Sequence, residues 1–192
     1  MPPSDPLSIL QDSLRGSPII WKGDYPYFIH PISDGIPRMD ADVLRATRDL
    51  IVEMVDWSKI DLVVSVEAMG LPLLAAVGEV TGKPTVVIRK REYGMEGEVR
   101  VDVSTGYSHS TTYINDISPG ERILIVDDVI STGGTLEPIL ATLEKMGVIL
   151  QDIVIAIEKG EGRERLAKER PAWPIRTLAR IDIIDGKVEI IE

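Results

Sequence analysis

Residues 123–135 read ILIVDDVISTGGT, and this stretch indicates both a fold class and the position of a ligand site. An aliphatic run leads into two adjacent carboxylates, Asp127 and Asp128, and a Thr-Gly-Gly-Thr sequence follows after three more residues. Runs of this kind form strands that are covered on both faces of a parallel sheet. Glycines after such a strand let successive backbone N–H groups point into one concavity, and the following helix adds its positive N-terminus. The stretch predicts an anion-binding turn beside a pair of acids.

The surrounding sequence repeats the alternation of aliphatic runs and helical periodicity. Strands are predicted at DLVVSV (61–66), PTVVI (84–88), RILIV (122–126) and DIVIAI (152–157), and helices at 4–16 (with Ser4 as N-cap), 40–57, 70–81 and 134–146. Two short strands are predicted within 18–37, and a hairpin with an Asp185-Gly186 turn is predicted near the C-terminus. Strand and helix in alternation imply right-handed βαβ units. The prediction is an α/β fold, a doubly wound, mainly parallel sheet flanked by helices.

Composition excludes several classes of function. The 192 residues carry 21 basic and 31 acidic side chains, a net charge of −10, which disfavours nucleic acid as a partner. There is no cysteine, so thiolate catalysis and disulfides are excluded. The first residues lack the basic and apolar segments of a signal peptide, and no apolar run approaches the roughly 20 residues of a membrane span. We therefore expect a cytoplasmic protein with no membrane partner.

Three predicted strands end in polar or glycine-bearing segments, which should meet at one edge of the sheet. Glu67-Ala68-Met69-Gly70 follows the first, residues 127–135 the third and Glu158-Lys159 the fourth. Taken alone, the glycine turn is compatible with a plain strand-to-helix connection, capped by Thr132 or Thr135. The acids taken alone are compatible with a solvated loop, or with a ligand that presents hydroxyls or a divalent metal.

These motifs together resemble the type I phosphoribosyltransferases, and within them the archaeal hypoxanthine/guanine branch. The resemblance covers nearly the whole chain through FIHPISDGIP, VEAMG, VIRKREYG, TGYSHSTTYIN and VDDVISTGGT. Met69 is a departure, because adenine enzymes of this kind often have arginine there. A second departure is GEGR (160–163), which stands where the xanthine branch has an aromatic residue.

The resemblance implies transfer of ribose 5-phosphate from phosphoribosyl diphosphate to a purine base, with Mg²⁺ as cofactor and a homodimer as the assembly. It implies that Asp127 and Asp128 are catalytic. It also implies that Mg²⁺ binds mainly through the substrate, with Asp127 or Asp128 as a further ligand. It implies that the substrate-binding residues are Glu67, Ala68, Met69, Gly70, Arg89, Lys90, Ser131, Thr132, Gly133, Gly134, Thr135 and Lys159.

The resemblance also divides the single domain, 1–192, into functional parts. A hood formed by residues 1–38 and 175–192 would cover the base, with the aromatic residues Trp21, Tyr25, Tyr27 and Phe28 either stacking on it or forming the hood core. A flexible flap, 92–112, would close over the site.

Lys159 bears on the choice of base. Its ammonium offers only donors, which suits the C6 carbonyl of hypoxanthine and guanine and opposes the amino group of adenine. The other interpretation is a lysine that pairs with Glu158 or Glu161 on the surface. Two further functions stay open at this point: an adenine or xanthine phosphoribosyltransferase on the same scaffold, and a non-catalytic regulator that senses phosphoribosyl diphosphate.

Overall fold

The structure is a computed structural model that describes residues 5–23, 25–105 and 108–191, without the side chains of residues 104, 105, 108 and 109. The predicted N-cap Ser4 and the flap residues 106 and 107 therefore lie outside the described residues. The elements in chain order are α1 (Pro6–Arg15), β1 (Ile19–Lys22), β2 (Tyr25–Phe28), α2 (Pro31–Asp34), α3 (Ala41–Met54), a 3-10 helix (Trp57–Lys59), β3 (Leu62–Val66), α4 (Gly70–Thr81), β4 (Thr85–Ile88), β5 (Val99–Thr105), β6 (Ser108–Ile114), β7 (Arg122–Ile130), α5 (Leu136–Lys145), β8 (Ile149–Lys159), α6 (Gly162–Glu169), β9 (Ile175–Ile184) and β10 (Lys187–Ile191).

The predicted doubly wound sheet is confirmed. Its strand order is β10-β9-β8-β7-β3-β4, and every pair except β9–β10 is parallel. From β3 the chain moves to β4 on one side, and then from β7 to β8 and β9 on the other. The winding direction therefore reverses between β3 and β7, the position at which open α/β sheets form a ligand crevice.

Alternate residues of the central strands pack into two separate cores. Val63 and Leu124 belong to the core covered by α1, α3 and α4, whereas Val64 and Ile125 belong to the core covered by α5 and α6. All four side chains are fully buried. Coverage on both faces explains why these strands lack polar residues at every second position.

The ends of several strands and helices differ from those predicted. The strand predicted at 122–126 continues to Ile130 and the one predicted at 152–157 spans Ile149–Lys159, so both motif pairs lie within strands rather than after them. Helix α3 ends at Met54, short of the predicted 57, and α5 covers Leu136–Lys145 instead of 134–146. Asp5, not the predicted residue, caps α1 by accepting from the amide of Ser8 at 3.1 Å.

The two ends of the predicted hood differ in structure. β1 and β2 form the expected small antiparallel hairpin. The C-terminal hairpin also forms, and its turn residues Asp185 and Gly186 both have positive φ, as a two-residue turn of this type requires. However, β9 begins at Ile175 and pairs in parallel with β8, so the start of the segment 175–192 is a fifth parallel strand of the main sheet.

The segment 92–112, predicted to be a flexible flap, includes most of an antiparallel hairpin of β5 and β6. Val101 and Val103 on one face of β5 are buried in the core under α5, and each such side chain stabilises the packing by about 1.5–3 kcal/mol. A bridge between Arg89 and Tyr113 joins the hairpin to the end of β4. The hairpin is therefore attached at its base, and closure of its tip stays a prediction.

Candidate active site

Asp127 and Asp128 lie in the second half of β7, beside the point where the winding reverses. Burial, followed by the charge of Asp128, raises the pKa of Asp127 well above its usual value. Burial likewise raises the pKa of Asp128 to about 6. Oδ1 of Asp127 accepts from the backbone amide of Asp128 at 3.0 Å. The two carboxylates repel each other in a half-buried position, so a ligand that presents hydroxyls or positive charge there would stabilise their ionised forms.

The loop 67–70 begins at the neighbouring strand end and approaches the acids closely. A Cβ on Gly70 would lie 2.7 Å from Oδ1 of Asp127 and 1.9 Å from Oγ of Ser65, so no side chain fits at this position. Ser65 is fully buried and its hydroxyl has no hydrogen-bond partner among the described residues. The peptide bond between Glu67 and Ala68 is cis.

Cations from the end of β4 face this loop. The Glu67 carboxylate lies 2.9 Å from Nε of Arg89 and accepts from the backbone amide of Lys90 at 3.2 Å. The charge of Lys90 lowers the pKa of Asp127 and so partly offsets the effect of burial. Met69 of this loop supplies no charge and lies beside the hood, where a Cβ on Gly35 would be 3.3 Å from its terminal methyl group. The structure thus brings the predicted residues of the loop, the cations and the acids together.

The 131–135 turn follows β7 and leads into α5. Thr132 accepts through its hydroxyl from the amide of Gly134 at 3.3 Å, whereas Thr135 at the start of the helix makes no side-chain cap. Thr135 therefore does not cap α5 through its side chain, as the interpretation of the turn as a plain strand-to-helix connection allowed. An open cleft of about 610 Å³ lies beside the turn, lined by Ser131, Thr132, Gly160, Glu161, Gly162, Glu164, Arg165 and Lys168. The cleft adjoins the turn on the side of α6 and includes neither acid.

Lys159 is the predicted residue whose surroundings differ most from expectation. It is 8% exposed, and its Nζ donates at 2.8 Å to both the hydroxyl of Tyr25 and the carbonyl of Pro26. The interpretation as a surface ion pair is wrong. Its neighbour Glu158 points to the other face and accepts from Arg163 at 2.6 Å and from Thr177 at 2.9 Å.

The aromatic residues of the hood differ in burial and in their polar contacts. Phe28 is buried in the core, Trp21 is 62% exposed, and the ring of Tyr25 lies 4.1 Å from Nζ of Lys159. Tyr27 donates to Asp34 at 2.8 Å, and burial with this hydrogen bond raises the pKa of Tyr27 to about 12. The ring of Phe28 lies 5.8 Å from the same ammonium, so Tyr25 is the nearer of two aromatic residues beside the predicted base-binding lysine.

Asp34 lies near the paired acids and was not among the predicted site residues. Its charge is close enough to raise the pKa of Asp128, and it accepts from Tyr27, from Ser33 at 2.7 Å and from the amide of His30 at 3.1 Å. The motif FIHPISDGIP contains this aspartate, but nothing in its spacing from residues 127 and 128 indicates that they are neighbours in space.

The described residues contain no group of three or more histidine, aspartate or glutamate side chains arranged to hold a metal ion. Among the helices of the described residues, none combines the length and the apolar character needed to cross a membrane.

A family model described as phosphoribosyl transferase domain matches residues 36–177, which include both acids, the 131–135 turn and Lys159. The chain belongs to the phosphoribosyltransferase family. Two curated relatives bear the name hypoxanthine/guanine phosphoribosyltransferase. The one from Methanotorris igneus is 46% identical over 95% of this chain and 100% of its own length. The one from Methanobrevibacter ruminantium is 46% identical over 95% of this chain and 96% of its own length.

Solved structures of adenine phosphoribosyltransferases share the fold of this phosphoribosyltransferase. The protein from Rhodothermus marinus superposes with a TM-score of 0.73 at 26% identity and covers 91% of this chain and 98% of its own. The one from Trypanosoma brucei has a TM-score of 0.74 at 18% identity and covers 94% of this chain and 81% of its own. At 18% identity the second likeness concerns the fold alone.

Proposed function

We propose that this phosphoribosyltransferase transfers ribose 5-phosphate from phosphoribosyl diphosphate to hypoxanthine or guanine in purine salvage, releasing diphosphate and giving IMP or GMP. The observation that carries the choice of base is the buried ammonium of Lys159 beside the ring of Tyr25. Two of its three N–H groups are bound by the hood, which leaves one for a carbonyl oxygen at C6 of the base. The names of the curated archaeal relatives agree with this choice.

The ribose would lie across Asp127 and Asp128, whose carboxylates accept its 2- and 3-hydroxyls. Positive charge develops at C1 as diphosphate departs, and two fixed carboxylates nearby stabilise it electrostatically. The hydroxyls also give the pair the hydrogen bonds that favour its ionised state. This role accounts for the placement of two mutually repelling acids in a half-buried position.

The leaving diphosphate would bind the loop 67–70 together with Arg89 and Lys90. Arg89 is held by the carboxylate of Glu67, so an incoming diphosphate competes with that carboxylate for the same guanidinium. Because Met69 supplies no charge, the loop itself would act through its backbone N–H groups.

Magnesium fits the chemistry of this donor set only as an ion that is shared with the substrate. Asp127 and Asp128 provide two carboxylates with raised pKa values, fewer oxygen ligands than a protein-only site needs. When bound, Mg²⁺ would neutralise charge on the diphosphate and ribose oxygens. Association of two chains into a homodimer stays a prediction.

One assay tests the proposed function. The protein is incubated with phosphoribosyl diphosphate, Mg²⁺ and each of hypoxanthine, guanine, adenine and xanthine, and nucleotide formation is followed by chromatography. We expect IMP and GMP, with adenine a poor substrate. Preferred formation of AMP or XMP would contradict the choice of base, and binding of phosphoribosyl diphosphate without any nucleotide would indicate the regulator.

A further inference from the structure

The start of α6 lies in direct backbone contact with the 131–135 turn. The amide of Gly162 donates to the carbonyl of Ser131 at 2.8 Å. A Cβ on Gly162 would lie 2.2 Å from that oxygen and 2.6 Å from the carbonyl carbon of Thr132. Both obstacles are backbone atoms, which cannot rotate away as a side chain would. The helix and the turn therefore keep their spacing only while this position is glycine.

A second contact is made by side-chain packing. Gly133 has a φ of 80°, and a Cβ there would lie 2.9 Å from the Cδ1 atom of Leu166, which is fully buried. A left-handed residue of the turn thus lies on an apolar side chain of α6.

Arg165 makes the third contact. Its Nη2 donates to the carbonyl of Thr132 at 3.2 Å and to the Glu137 carboxylate at 2.7 Å, and its Nη1 donates to Glu169 at 2.6 Å. Two carboxylates, one on α5 and one on α6, thus fix the guanidinium while it holds a carbonyl of the turn. A planar guanidinium suits this arrangement because its donors are fixed in direction.

These contacts determine where the amides of the turn point. In a trans peptide the C=O and N–H bonds point in opposite directions. The carbonyls of Ser131 and Thr132 both point to α6, so the amides of the residues that follow them, Thr132 and Gly133, point away from it. Neither amide has a hydrogen-bond acceptor among the described residues. Two donors without an acceptor among the described residues therefore lie on the side of the turn that faces away from α6.

We propose that Arg165 is a positioning residue for the reaction, which holds the 131–135 turn by the Thr132 carbonyl so that the amides of the turn face the 5-phosphate of phosphoribosyl diphosphate. The proposal rests on the proposed function. Arg165 itself points to the far side of the turn and acts on the phosphate through the backbone.

The test compares Arg165→Met with Lys168→Met, which removes a cation from the same helix and cleft but no hydrogen bond to the turn. Loss of a hydrogen bond from a charged donor weakens binding by roughly tenfold or more. We therefore expect the KM for phosphoribosyl diphosphate to rise about tenfold in Arg165→Met, with the KM for hypoxanthine and the thermal midpoint nearly unchanged. Lys168→Met should have the same KM for phosphoribosyl diphosphate as the unsubstituted protein. Arg165→Lys should have a KM between those of Arg165→Met and the unsubstituted protein, because its ammonium still donates to one carbonyl.

Gly162→Ala provides an independent variant, because alanine itself favours the helix while its methyl group pushes the turn and α6 apart. It should raise the same KM without raising that for hypoxanthine. An unchanged KM in Arg165→Met would overturn the proposal while the proposed function stands. Equal rises in both KM values with a lowered thermal midpoint would assign Arg165 a purely structural role, which also overturns it. If the unsubstituted protein formed no nucleotide, the proposed function would fail, and the inference with it.

Discussion

The ammonium of Lys159 donates at 2.8 Å to the hydroxyl of Tyr25, and this contact joins the last residue of β8 to the first residue of β2. The lysine thereby anchors the N-terminal hairpin to the parallel sheet. The same bond limits the directions in which its remaining N–H can point. Lys159, which we propose recognises the base, is thus oriented by the N-terminal hairpin, which we propose covers the base.

The first prediction concerns recognition at C6. Lys159→Gln replaces a group that only donates with an amide that also accepts, so we expect lower activity with hypoxanthine and a smaller ratio of hypoxanthine to adenine activity. The measurement is kcat/KM for both bases at saturating phosphoribosyl diphosphate.

Tyr25→Phe is the matched control for this variant. It keeps the ring and the lysine but removes one of the two hood partners of Nζ. We expect a moderate loss with hypoxanthine and no gain with adenine. If Lys159→Gln kept full discrimination between the bases, Lys159 would not read C6.

The sequence predicted the sheet well because the aliphatic runs of the central strands β3, β7 and β8 are buried on both faces. The fifth parallel strand was missed because β9 has the sequence IRTLARIDII, in which Arg176, Thr177 and Arg180 interrupt the apolar run. Each of these residues has a specific partner in the structure: Asp152 for Arg176, Glu158 for Thr177 and Glu164 for Arg180. Pairings between residues 16 to 24 positions apart are not visible in hydrophobic periodicity.

The structure brings together those predicted site residues that belong to motifs at strand ends. Asp34 and Arg165 were missed because each lies outside those motifs and reaches the site only through tertiary contacts. The surroundings of Lys159 were wrong for a related reason: its partners, Tyr25 and Pro26, precede it by more than 130 residues. Local spacing identifies groups that share a loop, and it carries no information on contacts between distant elements.

The second prediction separates activity from stability at the acids. Asp127→Asn or Asp128→Asn should lower kcat by about 100-fold or more, because each removes a charge that faces the developing cation. Each variant also removes the repulsion between two neighbouring carboxylates, so the thermal midpoint should stay equal or rise. Asp182→Asn, an exposed acid on β9, is the control and should change neither quantity. Near-normal activity in both site variants would contradict the ribose assignment.

The third prediction concerns pH. The folded protein holds a proton on Asp128 up to about pH 6, higher than an unfolded chain does, so this group stabilises the fold increasingly as pH falls from about 6 to 4. His30 acts in the opposite direction, because burial lowers its pKa to about 4 and its neutral form is favoured in the fold. We therefore expect Asp128→Asn to lose stability more steeply on acidification than the unsubstituted protein. Chemical unfolding between pH 4 and 7 measures this difference, and parallel curves would contradict the assignment.

The fourth prediction concerns closure over the site. Residues 90–97 are exposed, and the loop is turned by Glu98, which accepts from the amides of Tyr93 and Gly94. Trypsin should cleave the free protein after Lys90 or Arg91, and phosphoribosyl diphosphate with Mg²⁺ should suppress the cut. Ribose 5-phosphate, which lacks the diphosphate, is the control and should protect little. Equal protection with and without ligand would mean that the segment does not open.

The last prediction tests the close approach of Gly70 to the acids. Gly70→Ala would place a methyl group 1.9 Å from Oγ of Ser65 and 2.7 Å from Oδ1 of Asp127. We expect a lower thermal midpoint, because Ser65 is fully buried, and a fall in kcat of at least tenfold, because the carboxylate must rotate.

The double variant Gly70→Ala/Ser65→Ala distinguishes the two effects. Removing the Ser65 hydroxyl takes away the shorter contact and a buried polar atom without a partner, so the thermal midpoint should recover. The contact with Asp127 remains, so kcat should stay low. Ser65→Ala alone is the control and should keep activity. Recovery of both quantities in the double variant would show that the orientation of Asp127 does not depend on the space left by Gly70.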